Sequence, residues 1–319
     1  MMDAKHTKSS LHESSFHDDD EIELRELFRM LWTGKWLIIG ITFVAGVMSI
    51  FASLMLPNVY RAEALLAPNN QEDAGGLSSL AAQYGGLASL AGINLAGINL
   101  GGGSVDKTAL GLGVLKSRRF ITEFIDRHDI LVPLMAAEDW DAKSDELKLN
   151  SDDYDSASNT WVRKVSFPRK KIPSMQEAYD KFMENLSVSQ DKKSGFVTIS
   201  FEHYSPSIAK QWVDWLVEDI NATIMKQDVV EAEQSIAYLS EQINSTSLAD
   251  LKNVFYRLIE EQTKKIMLAK ASPEYMFRTL DPAVVPELKA KPKRLMIVVF
   301  SVIVGGLIGV VVVFIRNVS

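Results

Sequence analysis

Residues that carry chemistry are thinly spread along this chain of 319 residues. Three of its five histidines, His6, His12 and His17, precede the acidic run Asp18, Asp19, Asp20, a set that could hold a metal. Their irregular spacing on a polar tail reads instead as a disordered segment. Gly101 to Ser104 looks like the start of a phosphate loop but lacks the lysine such loops need. No Gly-x-Ser-x-Gly elbow and no His-Glu-x-x-His zinc motif occurs. The chain has no cysteine, so disulfides, thiolate metal sites and cysteine nucleophiles are excluded. A net charge of −7 argues against nucleic acid as a partner. The sequence therefore predicts no catalytic site, no cofactor and no metal.

What remains is the chemistry of contact. Gly305 and Gly309 form a Gly-x-x-x-Gly pattern with Gly306 beside it. Small residues four apart let another helix approach closely. Val229, Ala232, Ile236, Leu239 and Ile243 step by three and four, a heptad seam, and a second stripe runs through Leu248, Leu251, Phe255, Leu258 and Ile266. Ordinary core packing within one chain competes for these stripes with seams that meet each other or neighbouring subunits; the latter is favoured. Pro282, Pro286 and Pro292, with Lys293 after them, space an extended, stiff approach to the last apolar run.

The elements that position these residues emerge from hydropathy. Trp36 to Leu56 and Leu295 to Ile315 are each 21 residues without a charge. At about 1.5 Å per helical residue each reaches across the roughly 30 Å hydrocarbon core of a bilayer. The first run starts too far in and runs too long for a cleaved signal. Two spans put both termini on one side. Arg25, Arg29, Lys35 and Arg316 favour a cytoplasmic side for them, whereas Lys289, Lys291, Lys293 and Arg294 crowd the loop side of the second span. Long loops translocate largely regardless of charge, so termini inside is the expectation.

The expected order is a tail (1–20), an interfacial amphipathic helix (21–35, capped at Asp19 or Asp20), the first span (36–56), an α+β base domain (57–222), a long helical, coiled-coil-like extension (223–272), a proline-containing return segment (273–294), the second span (295–315) and a short tail (316–319). Within the base, 74–105 is an uncharged, glycine-rich loop carrying Leu-Ala-Gly-Ile-Asn twice in tandem. Thr108 to His128 is amphipathic and predicts one helix; Ala136 to Pro173 shows no clear period. Val59 to Leu66 alternates and predicts a strand. Leu186 to Ser189 and Phe196 to Phe201 alternate about a turn at Asp191–Gly195 and predict a hairpin joined by that strand. Ser205 should cap the next helix, with Ile208, Trp212, Trp215, Leu216 and Ile220 on one face. Ser247 with Asp250 resembles a capping box opening the second long helix. The two long helices form either a hairpin or one bent rod.

These motifs together resemble a known family. Pro286, four residues, Lys291-Pro292-Lys293, eleven residues, then Gly305 and Gly309 is similar to the signature of the Wzz polysaccharide co-polymerases, chain-length determinants of bacterial surface polysaccharides. Lys291 stands where the family has serine, and Pro282 lies one residue too far upstream. Glu21 to Trp36, Leu115 to Arg118 with Phe120 and Phe124, Glu260 to Leu268, Pro273 to Tyr275 and Asp281 to Pro286 also resemble family segments. The resemblance implies a bacterial inner-membrane protein with a periplasmic α/β base and helical extension, assembled into ring-like homo-oligomers. It implies a non-enzymatic regulator of the modal length of O-antigen or a related polymer, acting with the Wzy polymerase and in contact with lipid-linked polysaccharide. A periplasmic adaptor for polysaccharide export is the alternative. A kinase-linked co-polymerase is a third class, which would need a separate cytoplasmic kinase as partner.

Overall fold

The computed structural model describes residues 32–69 and 107–318. The tail at 1–20, nearly all of the interfacial helix and the glycine-rich loop expected at 74–105 lie outside the described residues. The chain divides into two compact units, Met1–Leu56 with Lys293–Ser319, and Pro57–Pro292.

The first unit holds helix α1 (Lys35–Met55), and the last helix of the chain, Arg294–Val318, packs along it. Both are long and apolar enough to cross a membrane, and most of their apolar side chains face outward. A core helix of a water-soluble domain would bury such a face; these two bury only the strip by which they touch each other.

The second unit begins with β1 (Tyr60–Pro68) and continues beyond residue 106 with α2 (Lys107–Leu115) and α3 (Arg118–Arg127). The single helix expected over 108–128 is thus two. Ser117 breaks it: its backbone is extended, and its hydroxyl accepts the Phe120 amide at 3.2 Å as the cap of α3. The apolar period runs unbroken through the cap, which hid the break from the sequence.

Then come the short α4 (Leu131–Met135) and two small hairpins, β2 (Ala137–Asp141) with β3 (Glu146–Leu149), and β4 (Tyr154–Asp155) with β5 (Thr160–Trp161). These fill the stretch that has no clear period. Arg163 secures the loop between β5 and the next helix. Buried, it donates to the carbonyls of Lys170 and Lys171 at 2.7 Å each and pairs with Glu177 at 2.8 Å. Its hydrogen bond holds the Glu177 carboxyl below its ordinary pKa, against the upward push of burial. Glu177 also closes a capping box with Ser174 at the start of α5 (Met175–Asn185).

The predicted hairpin is β6 (Leu186–Gln190) and β7 (Val197–His203). Its turn uses Asp191, whose carboxylate accepts the amides of Lys193 and Ser194, and Gly195, at φ +74°. β1 pairs antiparallel with β7, Ala62 opposite Phe201 and Ala64 opposite Ile199. Ser205 caps the helix after β7, as expected, but that helix is longer than expected. Helix α6 runs unbroken from Pro206 to Ser245, 40 residues, carrying base and extension as one rod. A three-residue break leads to α7 (Ala249–Ala271), which packs along α6. The chain then returns to Asn221 in the first half of α6, so the pair is a helical hairpin rather than a bent rod. The capping box at Ser247 and Asp250 is not formed: Leu248 takes the cap position, with no side-chain bond to the helix.

After α7 a strand that sequence reading missed, β8 (Phe277–Asp281), adds to the other edge of β1. The sheet order is β6-β7-β1-β8. The last helix, Arg294–Val318, is α8. In the second unit, Ala62, Ala64, Leu66, Val197, Ile199 and Phe201 point to one face of the sheet, where Trp212, Leu216 and Ile220 of α6 pack with Phe124 of α3 and Phe182 of α5. Phe201 sits between Phe182 (centroids 4.7 Å) and Trp212 (5.0 Å), an edge-and-tilt cluster typical of buried rings. The fold class is the one expected: two apolar helices of spanning length with an α+β domain and a long helical extension between them in sequence.

Candidate functional site

The membrane-type helices meet through glycine. A β-carbon placed on Gly305 would fall 2.7 Å from the Ala45 β-carbon and 3.3 Å from the Thr42 backbone. One on Gly309 would fall 3.0 Å from the Ile38 α-carbon. Gly306 has ordinary room, its nearest neighbour being Thr42 Oγ1 at 3.7 Å. Sequence reading missed Gly34, where a β-carbon would lie 2.5 Å from the Val313 methyls, and Gly46, which faces Val302 at 3.5 Å. Going up α1 the partners descend α8: Gly34 with Val313, Ile38 with Gly309, Thr42 with Gly305, Gly46 with Val302. The helices are antiparallel, and the glycine face of α8 is covered by this chain's own α1. Gly34 gave no signal because half its motif lies on the other helix.

The heptad residues lie in the hairpin of α6 and α7. Ala232 and Ile243 are buried; Val229, Ile236, Leu239, Leu251, Phe255 and Leu258 are half-buried. Their flanks are polar: Lys265 reaches the Asp228 carboxylate at 3.5 Å, and the Tyr275 hydroxyl donates to it at 2.6 Å.

At the base of the hairpin the buried Asn221 joins helix to strand. Its side-chain oxygen accepts the amides of Met276 and Phe277 at 2.7 and 2.8 Å, and its amide donates to the Phe277 carbonyl at 3.1 Å. At the end of β7, the buried His203 receives the Ser205 amide at Nδ1 (3.1 Å), while Nε2 donates to the Pro133 carbonyl at 3.0 Å. That pattern defines the neutral imidazole with its proton on Nε2, and burial pushes its pKa down. Neither residue was singled out by sequence, because a lone polar side chain on an amphipathic element looks like surface.

The proline approach is anchored rather than free. Pro282 is exposed, Pro286 and Pro292 are half-buried, and Lys293 is exposed at the boundary of the first unit. Val59 and Lys291 form a bridge: the Val59 amide donates to the Lys291 carbonyl at 3.0 Å, and the Ala290 amide donates back to Val59 at 2.8 Å. Glu202, from the neighbouring strand, receives Lys291 Nζ at 2.5 Å and is also paired with Arg61. Its side chain is only 8% exposed. Burial would push the Glu202 carboxyl up; the hydrogen bonds and charges of Lys291 and Arg61 outweigh it and hold the pKa below the ordinary glutamate value. Lys291, the residue that departs from the serine of the signature, is thus given a partner.

Two apolar helices of spanning length, an α+β domain between them in sequence and a long helical extension define the class: a two-helix membrane-type protein built around one large soluble domain. Comparison with known proteins sharpens this. The family model "Chain length determinant protein" (Wzz) matches residues 20–128. A second, "G-rich domain on putative tyrosine kinase" (GNVR), matches residues 249–318. The chain thus carries a Wzz chain length determinant domain, of the family its sequence resembles, followed by a GNVR domain. No curated protein matches it. Among solved structures, a full-length bacterial polysaccharide co-polymerase is similar over 93% of this chain and 98% of its own, at 14% identity and a TM-score of 0.37. A fragment of WzzB from Salmonella Typhimurium is similar over 73% of this chain and 100% of its own, at 11% identity and a TM-score of 0.30. Both superpositions are loose.

Proposed function

We propose that this protein sets the modal chain length of a bacterial surface polysaccharide, the O-antigen of lipopolysaccharide or a related polymer. It does so as a non-enzymatic, ring-like homo-oligomer that acts with a Wzy-type polymerase and contacts lipid-linked polysaccharide. One observation carries the reading: the two family models fall at opposite ends of the chain, on the segments that hold its two apolar helices. On this reading α1 and α8 span the inner membrane, both termini are cytoplasmic and the domain 57–292 is periplasmic. The glycine contacts set the pairing of the two spans, the outer faces of that pair are left for the polymerase, and the helical hairpin offers its outer side to neighbouring subunits.

A second reading has a specific observation behind it. The family description at 249–318 names tyrosine kinases, which favours a co-polymerase for capsule or exopolysaccharide with a separate kinase as partner. Deleting the gene and running both polysaccharides on gels separates the readings. Loss of the modal cluster in the lipopolysaccharide ladder, restored by complementation, supports the first. An unchanged ladder with shortened or absent capsule supports the second. Polymer trapped inside the cell would overturn both in favour of an export adaptor.

A further inference from the structure

The return segment between β8 and Pro292 presents apolar side chains to the outside. Val284 is 67% exposed, Val285 50% and Leu288 85%. Ordinary loops expose single apolar residues; three within five positions, on a segment held at both ends, are a patch. The holding is explicit. Asp281 is still in register with Leu65 of β1, Ala283 is buried in the domain core, and Ala290 and Lys291 are bonded to Val59. Pro282 and Pro286 stiffen what lies between. The patch is therefore presented by the backbone before anything binds it.

The chain itself says what covers the patch. Leu288 precedes Arg294, the first residue of α8, by six positions. At roughly 3.5 Å per residue, extended chain alone keeps it within about 21 Å of that residue. A surface so tethered meets the headgroup layer before it meets any diffusing partner. The charges nearby are balanced: Asp281 and Glu287 are exposed and acidic, Lys289 and Lys293 are exposed and basic, and Lys291 is engaged by Glu202. Such a set gives no preference for an anionic surface, so burial of apolar groups is the attraction.

We infer that Val284, Val285 and Leu288 form a docking surface for the phospholipid bilayer itself, entering its interfacial layer. The inference rests on α8 being a membrane span, and the test separates the two. Because the chain has no cysteine, Leu288→Cys, Val304→Cys (mid-α8) and Lys193→Cys (the β6–β7 turn) each give one labelling site. The full-length variants, carrying an environment-sensitive fluorophore, are reconstituted into nanodiscs of a zwitterionic lipid, or of that lipid with an anionic one. The discs contain lipid spin-labelled either near the headgroup or deep in the chain.

The Leu288 label should be blue-shifted and quenched at least about twofold more by the shallow spin label than the Lys193 label, equally in both lipid mixtures. The Val304 label should be quenched by the deep spin label. Quenching at Val304 without quenching at Leu288 overturns the inference and leaves the span standing; a Leu288 label shielded from water yet unquenched assigns the patch to a second subunit and overturns it too. No deep quenching at Val304 overturns the span, and the inference with it. Quenching at Leu288 only with anionic lipid overturns the apolar account in favour of a charge-driven one.

Discussion

The carboxylate of Glu202 on β7 accepts the Lys291 ammonium at 2.5 Å and so ties the end of the soluble unit to its middle. Val59, at the unit's start, is hydrogen-bonded to the same lysine's backbone. Replacing Glu202 with Gln leaves a shape-matched side chain without the charge that Lys291 and Arg61 share. We expect a loss of about 2 kcal/mol, the usual value of hydrogen bonds to a charged group. That is a fall of roughly 2–4 °C in the melting temperature per kcal/mol for a unit this size, read by thermal unfolding of the detergent-solubilised full chain. Glu202→Gln with Lys291→Gln should cost less than the sum of the two single changes.

Asn221 makes three buried hydrogen bonds to the backbone at 276–277. Asn221→Ala strands two amides and a carbonyl, at about 1 kcal/mol each. The expected loss is about 3 kcal/mol, with proteolysis appearing first around residue 276. A protease-resistance profile unchanged from the parent would refute this role.

The glycine contacts make a graded forecast. Gly305→Leu and Gly309→Leu place side chains against Ala45, Thr42 and Ile38, and should separate α8 from α1; Gly306→Ala should not. Gly46→Cys with Val302→Cys, at positions where a β-carbon on Gly46 would lie 3.5 Å from a Val302 methyl, reports the pairing by disulfide formation in membranes. Crosslinking should fall severalfold with either Leu substitution and persist with Gly306→Ala. If the Leu variants crosslink as well as the parent, the contact is not what holds the pair.

The pH dependence has two parts with one sign. His203 is buried neutral with a lowered pKa, so the unfolded chain takes up a proton before the folded one does. Its contribution is complete above the ordinary value of 6.5 and drains away as the pH falls below it. Glu202 and Glu177 also have lowered pKa values, and their contribution is lost lower down, as the pH falls through 4.5 and beyond. Melting temperature should therefore decline in two stages on acidification. His203→Gln should flatten the upper stage alone.

How much of the fold and site was legible in the sequence varies by element, for physical reasons. The spans announce themselves because bilayer thickness demands an uninterrupted apolar run. The β6–β7 hairpin is legible because alternation and an Asp-to-Gly turn coincide. β8 is not: five residues, paired on one edge only, carry too short a pattern, and it takes the partner strand β1 to make them a strand. The failed capping box at Ser247 has a similar cause, since spacing offered a cap that the course of the chain did not use. In the glycine contacts, Gly305 and Gly309 are visible because their motif lies within one helix, whereas Gly34 acquires its meaning only from Val313. Asn221, His203 and Glu202 stayed hidden because burial, which makes them matter, is not written beside them.

The bridge between Val59 and Lys291 also bears on how the two apolar helices find each other. More than two hundred residues separate them along the chain, and closing so long a flexible loop would cost about 3 kcal/mol more than closing one of a handful of residues. Once the soluble unit has folded, its first and last residues are neighbours, so that entropy has already been spent and each helix sees the other at the effective concentration of a short tether. Assembly of the helix pair is in this sense delegated to the domain outside it.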